Sequence, residues 1–319
     1  MAELIAWGPA TLVATRDLTA DIRLFEVVPA AAFGAVAPGS HLSLLLPLAA
    51  ESAVRSYSIV EAAEGAVRIA VKLLPESRGG STYLWSLRPG ARLTVSGPRN
   101  HFPLGRDAPD YLLVAGGIGI TPIYGMALAL AKAGLPVRVL YGVRGVADAA
   151  LEGELRAVLG ERLTVVAGEP VDVEAAIAEL GSGGEMYVCG PIGMLEAAKR
   201  AWKASGRPLP QLRFETFGSS GRYATEAFTV RIPRLRLELE VPRTVSLLDA
   251  LEGAGVKMIH HCRRGECGLC ALPIVAVDGV VDHRDVFFTE AEKAENTKLC
   301  TCVSRAAGGV LTLDTGDRR

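Results

Sequence analysis

Tyr111-Leu-Leu-Val-Ala-Gly-Gly-Ile-Gly-Ile-Thr-Pro122 opens a run that continues to Ala131 without a charged residue. The run is long enough to cross a bilayer, but Gly116, Gly117, Gly119 and Pro122 interrupt it. A parallel strand covered on both faces is a continuous apolar run, so the segment reads as a buried strand, a glycine turn and a helix. Downstream, 137–141, 163–166 and 185–189 are short apolar runs separated by Ala- and Leu-rich helical stretches. Alternating strands and helices predict an α/β domain with a parallel sheet and right-handed crossovers.

Upstream, the runs 22–28, 41–47, 55–61, 66–74 and 91–96 are separated by turn residues such as Pro38-Gly39 and Pro89-Gly90. This rhythm predicts an antiparallel β-barrel. Downstream of the small, flexible stretch Gly218-Ser-Ser-Gly221, residues 228–232 and 235–241 flank Pro233-Arg234 as a hairpin. A short helix is expected over 246–253, and Thr289 with Glu292 forms a capping-box pattern for another. The expected division is a barrel over 1–106, the α/β domain over 107–218, a linker over 219–227 and a small α+β domain over 228–319.

Composition excludes several classes. Lys+Arg (34) and Asp+Glu (35) nearly cancel and no long basic run occurs, so phosphate neutralisation, on which nucleic-acid affinity rests, has no footprint. Ample Leu, Val and Ala exclude a disordered chain. Glu3 stands where a signal peptide would carry positive charge. A cytoplasmic protein without a membrane segment is expected.

Five of the 6 cysteines fall between Cys262 and Cys302. Clustered thiols without an export signal point to metal rather than disulfides. Cys262-Arg-Arg-Gly-Glu-Cys267-Gly-Leu-Cys270 is C-x4-C-x2-C, the plant-type spacing for three ligands of a [2Fe–2S] cluster; zinc sites use paired C-x2-C units instead. Gly265 and Gly268 allow the backbone to wrap the cluster closely. For the fourth ligand, Cys300 follows Cys270 at 29 intervening residues, whereas Cys302 opens Cys-Val-Ser-Arg-Ala.

Three further motifs carry nucleotide chemistry. Arg55-Ser56-Tyr57-Ser58 lies on a barrel strand, where alternation sets Arg55 and Tyr57 on one face and Ser56 and Ser58 on the other. Arg78-Gly79-Gly80-Ser81 precedes a short helix and combines a guanidinium, a hydroxyl and free amides, a set suited to one phosphate. Gly116-Gly117-Ile-Gly119-Ile-Thr121-Pro122 departs from the G-x-G-x-x-G fingerprint and has no acidic residue about 20 positions on. Tyr141-Gly-Val-Arg144 and Cys189-Gly190-Pro191 fall at the carboxyl ends of later strands, where α/β sheets bind ligands.

These motifs, in this order, resemble the ferredoxin-NADP reductase superfamily. Within it, the whole chain resembles the phthalate dioxygenase reductase and vanillate demethylase reductase family. The resemblance implies an FMN-binding β-barrel, an NAD(P)H-binding α/β domain and a C-terminal β-grasp, plant-type ferredoxin domain. It implies that Arg55 contacts flavin phosphate, Tyr57 packs on the isoalloxazine and Ser58 approaches its reactive nitrogen. It also implies that the Gly79-Gly80-Ser81 segment holds the FMN phosphate; no adenine-binding element is evident in the first domain. Thr121 and Cys189 then lie beside the nicotinamide, and Glu215 and Phe217, in Phe-Glu-Thr-Phe, close over the flavin. In that family the fourth cluster ligand opens the C-x-S-R-A stretch, here Cys302.

The function so implied is electron transfer from NADH through FMN and [2Fe–2S] to a Rieske-type aromatic oxygenase or O-demethylase. Arg144 suits a 2′-phosphate, but the resembled branch uses NADH. Arg263 and Arg264 are expected to give a basic rim for an acidic partner, or to stabilise an anionic cluster. Rival readings are a reductase of another multicomponent monooxygenase and a redox sensor that never turns over.

Overall fold

The computed structural model describes residues 7–48, 52–63, 65–74, 79–217 and 223–316. The chain divides into two compact units, one ending at Glu215 and one beginning at Thr216.

The first unit begins with β1 (Trp7–Asp17), β2 (Ile22–Pro29), β3 (Ser40–Pro47), β4 (Ser52–Ala63), β5 (Ala66–Lys72), α1 (Gly80–Ser86) and β6 (Arg92–Asn100). The six strands close a barrel in the order β1-β2-β5-β4-β3-β6, with every pair antiparallel. Closure leaves no open sheet edge. Alternate residues such as Leu42, Leu44 and Leu46 are fully buried in its core. The helix α1 caps the barrel through Leu84, which joins that core.

The same unit continues with β7 (Tyr111–Gly116), α2 (Ile120–Lys132), β8 (Val137–Val143), α3 (Glu152–Leu159), β9 (Leu163–Ala167), α4 (Val173–Ala178), β10 (Glu185–Cys189), α5 (Ile192–Ala204) and β11 (Leu212–Glu215). The sheet is wholly parallel, in the order β11-β10-β7-β8-β9. All six residues of β7 are buried. The uncharged run is therefore a strand, a turn and a helix, and among the described residues no helix is long and apolar enough to cross a membrane. The chain builds outward from β7 through β8 to β9, then reverses to β10, which makes the crevice between β7 and β10 the topological switch point. Here α2 packs on β4, so closely that a methyl on Gly125 would sit 3.3 Å from the Val60 carbonyl.

The second unit contains β12 (Phe228–Ile232), β13 (Leu237–Val241), α6 (Leu247–Gly253), β14 (Ala271–Asp282), α7 (Glu290–Glu295), β15 (Lys298–Cys300) and β16 (Arg305–Leu313). Its sheet runs β13-β12-β16-β14-β15. β12 and β13 form the expected hairpin, turned by Pro233–Leu235 and by Arg236 at φ 50°. β16 lies parallel to β12 and antiparallel to β14. This mixed sheet with α6 packed into its core is the α+β ferredoxin domain expected. Ser246 caps α6 by accepting from the Asp249 amide, and Thr289 and Glu292 complete the capping box of α7.

Candidate functional site

On β4, Arg55 and Tyr57 share the half-buried face, Ser56 is exposed, and Ser58 is 6% exposed. The Ser56 and Ser43 hydroxyls lie 3.2 Å apart, and Ser58 stands opposite His41 of β3. Gly79, at φ 84°, leads into α1 and turns the chain toward this face. A methyl on Gly80 would lie 3.0 Å from Arg55 Cγ and 3.3 Å from the Tyr57 hydroxyl. The fold thus brings the Arg-x-Tyr-Ser strand and the Gly79-Gly80-Ser81 segment together. The Ser81 hydroxyl accepts from the Leu74 amide at 3.1 Å, which ties the start of α1 to the end of β5. Arg78 lies outside the described residues.

In the parallel sheet, register puts Glu215, Cys189, Ala115 and Tyr141 in one row across β11, β10, β7 and β8. Their carboxyl ends frame the crevice, and the glycines there do different work. A Cβ on Gly119 would fall 2.1 Å from the Cys189 carbonyl oxygen, so only glycine lets the first turn dock on the second. A Cβ on Gly116 would meet Pro191 at 2.5 Å. Gly117 alone of the three has open space, and its φ of 52° is the reason for glycine there. The Tyr141 hydroxyl donates to the Gly117 carbonyl at 3.2 Å, and Thr121 Oγ1 donates to the Ile118 carbonyl at 3.0 Å. Pro122 sits in the first turn of α2, where a missing amide costs nothing. Cys189 is buried, whereas Arg144 at the end of β8 is exposed. Phe217 falls at the start of the second unit and is half-buried.

The cysteine loop lies within the second unit. The amides of Arg264 and Glu266 both donate to Cys262 Sγ at 3.4 Å. Gly265 and Gly268 take φ of 77° and 70°, and a Cβ on either would strike Val303 or the Phe287 ring within 2.6 Å. Cys302 interacts with both Cys262 and Cys270, and Cys267 approaches Cys262. Hydrogen bonds from Cys302 and these amides hold the Cys262 thiol well below its ordinary value, and Cys300 with Cys302 does the same to Cys270. Cys300, in β15, pairs with Ala271 of β14 and interacts with Cys270.

This donor set fits a two-iron centre. Cys262 interacts with Cys267 and Cys302, and Cys270 with Cys300 and Cys302, so the thiols gather within one loop and the strand facing it. Thiolate-favouring amides and close-wrapping glycines complete the fit.

One expectation changes. Arg263, in the left-handed region at φ 53°, donates to Asp249 at 2.8 Å and Glu252 at 2.7 Å, while Arg264 pairs with Glu266 at 3.2 Å. Both guanidiniums are neutralised within the unit, so the loop is not an open basic rim. The sequence reading also missed a clamp: the Ser304 hydroxyl donates to Asp285 at 3.1 Å and accepts from the Arg284 amide at 3.1 Å. It joins Asp-His-Arg-Asp to Cys-Val-Ser-Arg-Ala, and those paired motifs were the available signal.

Family models match three segments in order: an oxidoreductase FAD-binding domain over 9–103, an oxidoreductase NAD-binding domain over 113–200 and a 2Fe-2S iron-sulfur cluster binding domain over 230–307. Together they define an oxidoreductase with flavin, nicotinamide and [2Fe–2S] domains. The phenoxybenzoate dioxygenase subunit beta of Ectopseudomonas oleovorans is 37% identical over 92% of this chain and 93% of its own. The heme-dependent oxidative N-demethylase beta subunit of Ectopseudomonas mendocina is 36% identical over 95% and 97%, and the vanillate O-demethylase oxidoreductase of Pseudomonas putida 34% over 96% and 99%. The solved structure of phthalate dioxygenase reductase matches with a TM-score of 0.75 at 29% identity, over 97% of this chain and 98% of that one. The chain belongs to the family of phthalate dioxygenase reductase and vanillate O-demethylase reductase.

Proposed function

We propose that this chain is the NADH-dependent reductase component of an aromatic oxygenase or O-demethylase system, with FMN as its flavin and a Rieske-type terminal oxygenase as its acceptor. One observation carries the reading: flavin, nicotinamide and cluster motifs occupy one chain in the order of the relatives, over nearly their whole length. The cytoplasm, where NADH is available and thiols stay reduced, is the compartment that suits it.

NADH gives up two electrons as a hydride and a [2Fe–2S] cluster takes one, so a flavin between them supplies the exchange. Arg55 and the Gly79-Gly80-Ser81 segment would hold flavin phosphate, and Tyr57 would orient the ring. Ser58, buried on β4, would present its hydroxyl to the flavin. Gly117 opens the first turn to the dinucleotide, and the Gly119–Cys189 contact fixes the floor under the nicotinamide. Cys262, Cys267, Cys270 and Cys302 would ligate the cluster, because Cys302 faces two sulfurs of the loop and Cys300 only one.

The name of the N-demethylase relative supports a second reading, in which the acceptor is a haem-dependent demethylase. Mass spectrometry of the released flavin and anaerobic NADH titration test the core reading: FMN should be recovered, and flavin and cluster bands should both bleach. FAD, or bleaching of the flavin alone, would overturn it. Turnover with a Rieske-type oxygenase, set against a haem-dependent one, decides the acceptor.

A further inference from the structure

Met194 lies in the first turn of α5, beside the crevice. Helical side chains lean toward the N-terminus of their helix, so this one reaches back over Gly190. A Cβ built on Gly190 would lie 2.8 Å from the Met194 sulfur. One on Gly116 would lie 2.9 Å from its terminal methyl, and one on Gly142 3.2 Å from the same methyl. Gly116 and Gly142 are register partners at the ends of β7 and β8, and Gly190 follows β10. Three neighbouring strands thus meet one thioether through a bare α-carbon.

We infer that Met194 is a positioning residue for hydride transfer, setting the spacing between the Gly116–Gly119 turn and the Cys189–Pro191 turn. The inference rests on the assignment of those turns to the nicotinamide. Methionine suits the place: unbranched and polarisable, it fills an irregular groove that a β-branched side chain would not enter. Gly116, Gly142 and Gly190 leave room for Met194, together with Pro191 at Gly116 and Val171 at Gly142, whereas Gly117 is the glycine left open to the cofactor. The Gly119–Cys189 contact holds the two turns at one point, and removing the thioether lets them rock about it. A displacement of about 1 Å between reacting atoms costs up to about 100-fold in rate, so the loss falls on the transfer step rather than on the fold.

The test uses the full-length holoprotein and its Met194→Ala and Met194→Leu variants. Each is mixed anaerobically with NADH and with NADH deuterated at C4, following flavin bleaching and the long-wavelength charge-transfer band; NAD+ affinity is measured separately. Expected for Met194→Ala is flavin reduction at saturating NADH slowed about 10- to 100-fold, with a weakened charge-transfer band and unchanged flavin and cluster content. Met194→Leu should recover most of the rate. Wild-type transfer and an intact band in Met194→Ala would overturn the inference. If that variant does not fold, Met194→Val, whose β-branched side chain is too short to fill the groove between the glycines, must show the slowed transfer, and normal transfer there overturns it. Failure of NADH to reduce wild-type flavin is a different result and removes the site assignment itself.

Discussion

Ser304 donates its hydroxyl to Asp285 across 3.1 Å, with both residues wholly shielded from solvent. Asp285 also accepts from the Phe288 amide at 3.0 Å, and its backbone flanks Gly265 of the cysteine loop. The bond therefore fixes the segment after Cys302 against the loop that carries three other cysteines. Ser304→Ala should destabilise the second unit by about 1–3 kcal/mol, the cost of a buried acceptor losing its donor. Thermal unfolding followed at the cluster absorbance measures it, and an unchanged midpoint refutes it.

Asp285 also predicts a pH dependence. Burial alone would raise its pKa, but the His283 ring 3.7 Å away, bonds from the Phe288 amide and the Ser304 hydroxyl, and Lys293 nearby hold the carboxyl below the usual range. A depressed folded pKa gives stability that is complete above the unfolded value of about 4 and is lost as pH falls through the folded one. Melting temperature should drop on acidification below about pH 4, and Asp285→Asn should flatten that part of the profile. An equal slope in the variant would rule this out.

Serine substitution separates the two candidate fourth ligands. Cys302→Ser should abolish or strongly alter the visible spectrum, because this thiol faces both Cys262 and Cys270. Cys300→Ser, at a buried position of β15, should retain it. The reverse pattern would reassign the ligand.

Gly117→Ala and Gly119→Ala should part company. The first costs about 1–2 kcal/mol of left-handed strain, meets no protein atom and faces the dinucleotide, so it should raise the NADH concentration needed rather than stop the transfer. The second drives a methyl to 2.1 Å from the Cys189 carbonyl, so the two turns must separate and NADH-dependent flavin reduction should fail. Comparable losses in both variants would contradict the division of labour among these glycines.

Arg263 bears on partner docking. Because Asp249 and Glu252 already neutralise it, Arg263→Gln should shorten cluster lifetime rather than change the salt dependence of cytochrome c reduction. A changed salt slope with normal cluster lifetime would restore the basic rim.

What was legible in the sequence was local. The buried run of β7, the alternation of β4, the capping box of α7 and the cysteine spacing depend on neighbours a few residues away. β14 and β16 carry no such signal: β14 is largely exposed and contains Pro273, and β16 contains Gly308 and Gly309. Both become strands by pairing across the fold, with each other and with β12 and β15. The placement of Met194, the pairing of Arg263 and the Ser304–Asp285 bond likewise depend on contacts across the fold.

Arg284 donates to the Thr225 hydroxyl and the Tyr223 carbonyl, and Arg305 donates to the carbonyls of Glu226, Pro242 and Val245. Both guanidiniums are buried. The segment before the first strand is therefore stitched to the far end of the sequence, and a portable electron-transfer cassette cannot begin at Phe228. Cut there, it would carry two interior cations short of acceptors; cut before Tyr223, it would keep those acceptors, which makes that the boundary at which to graft it onto another flavoprotein.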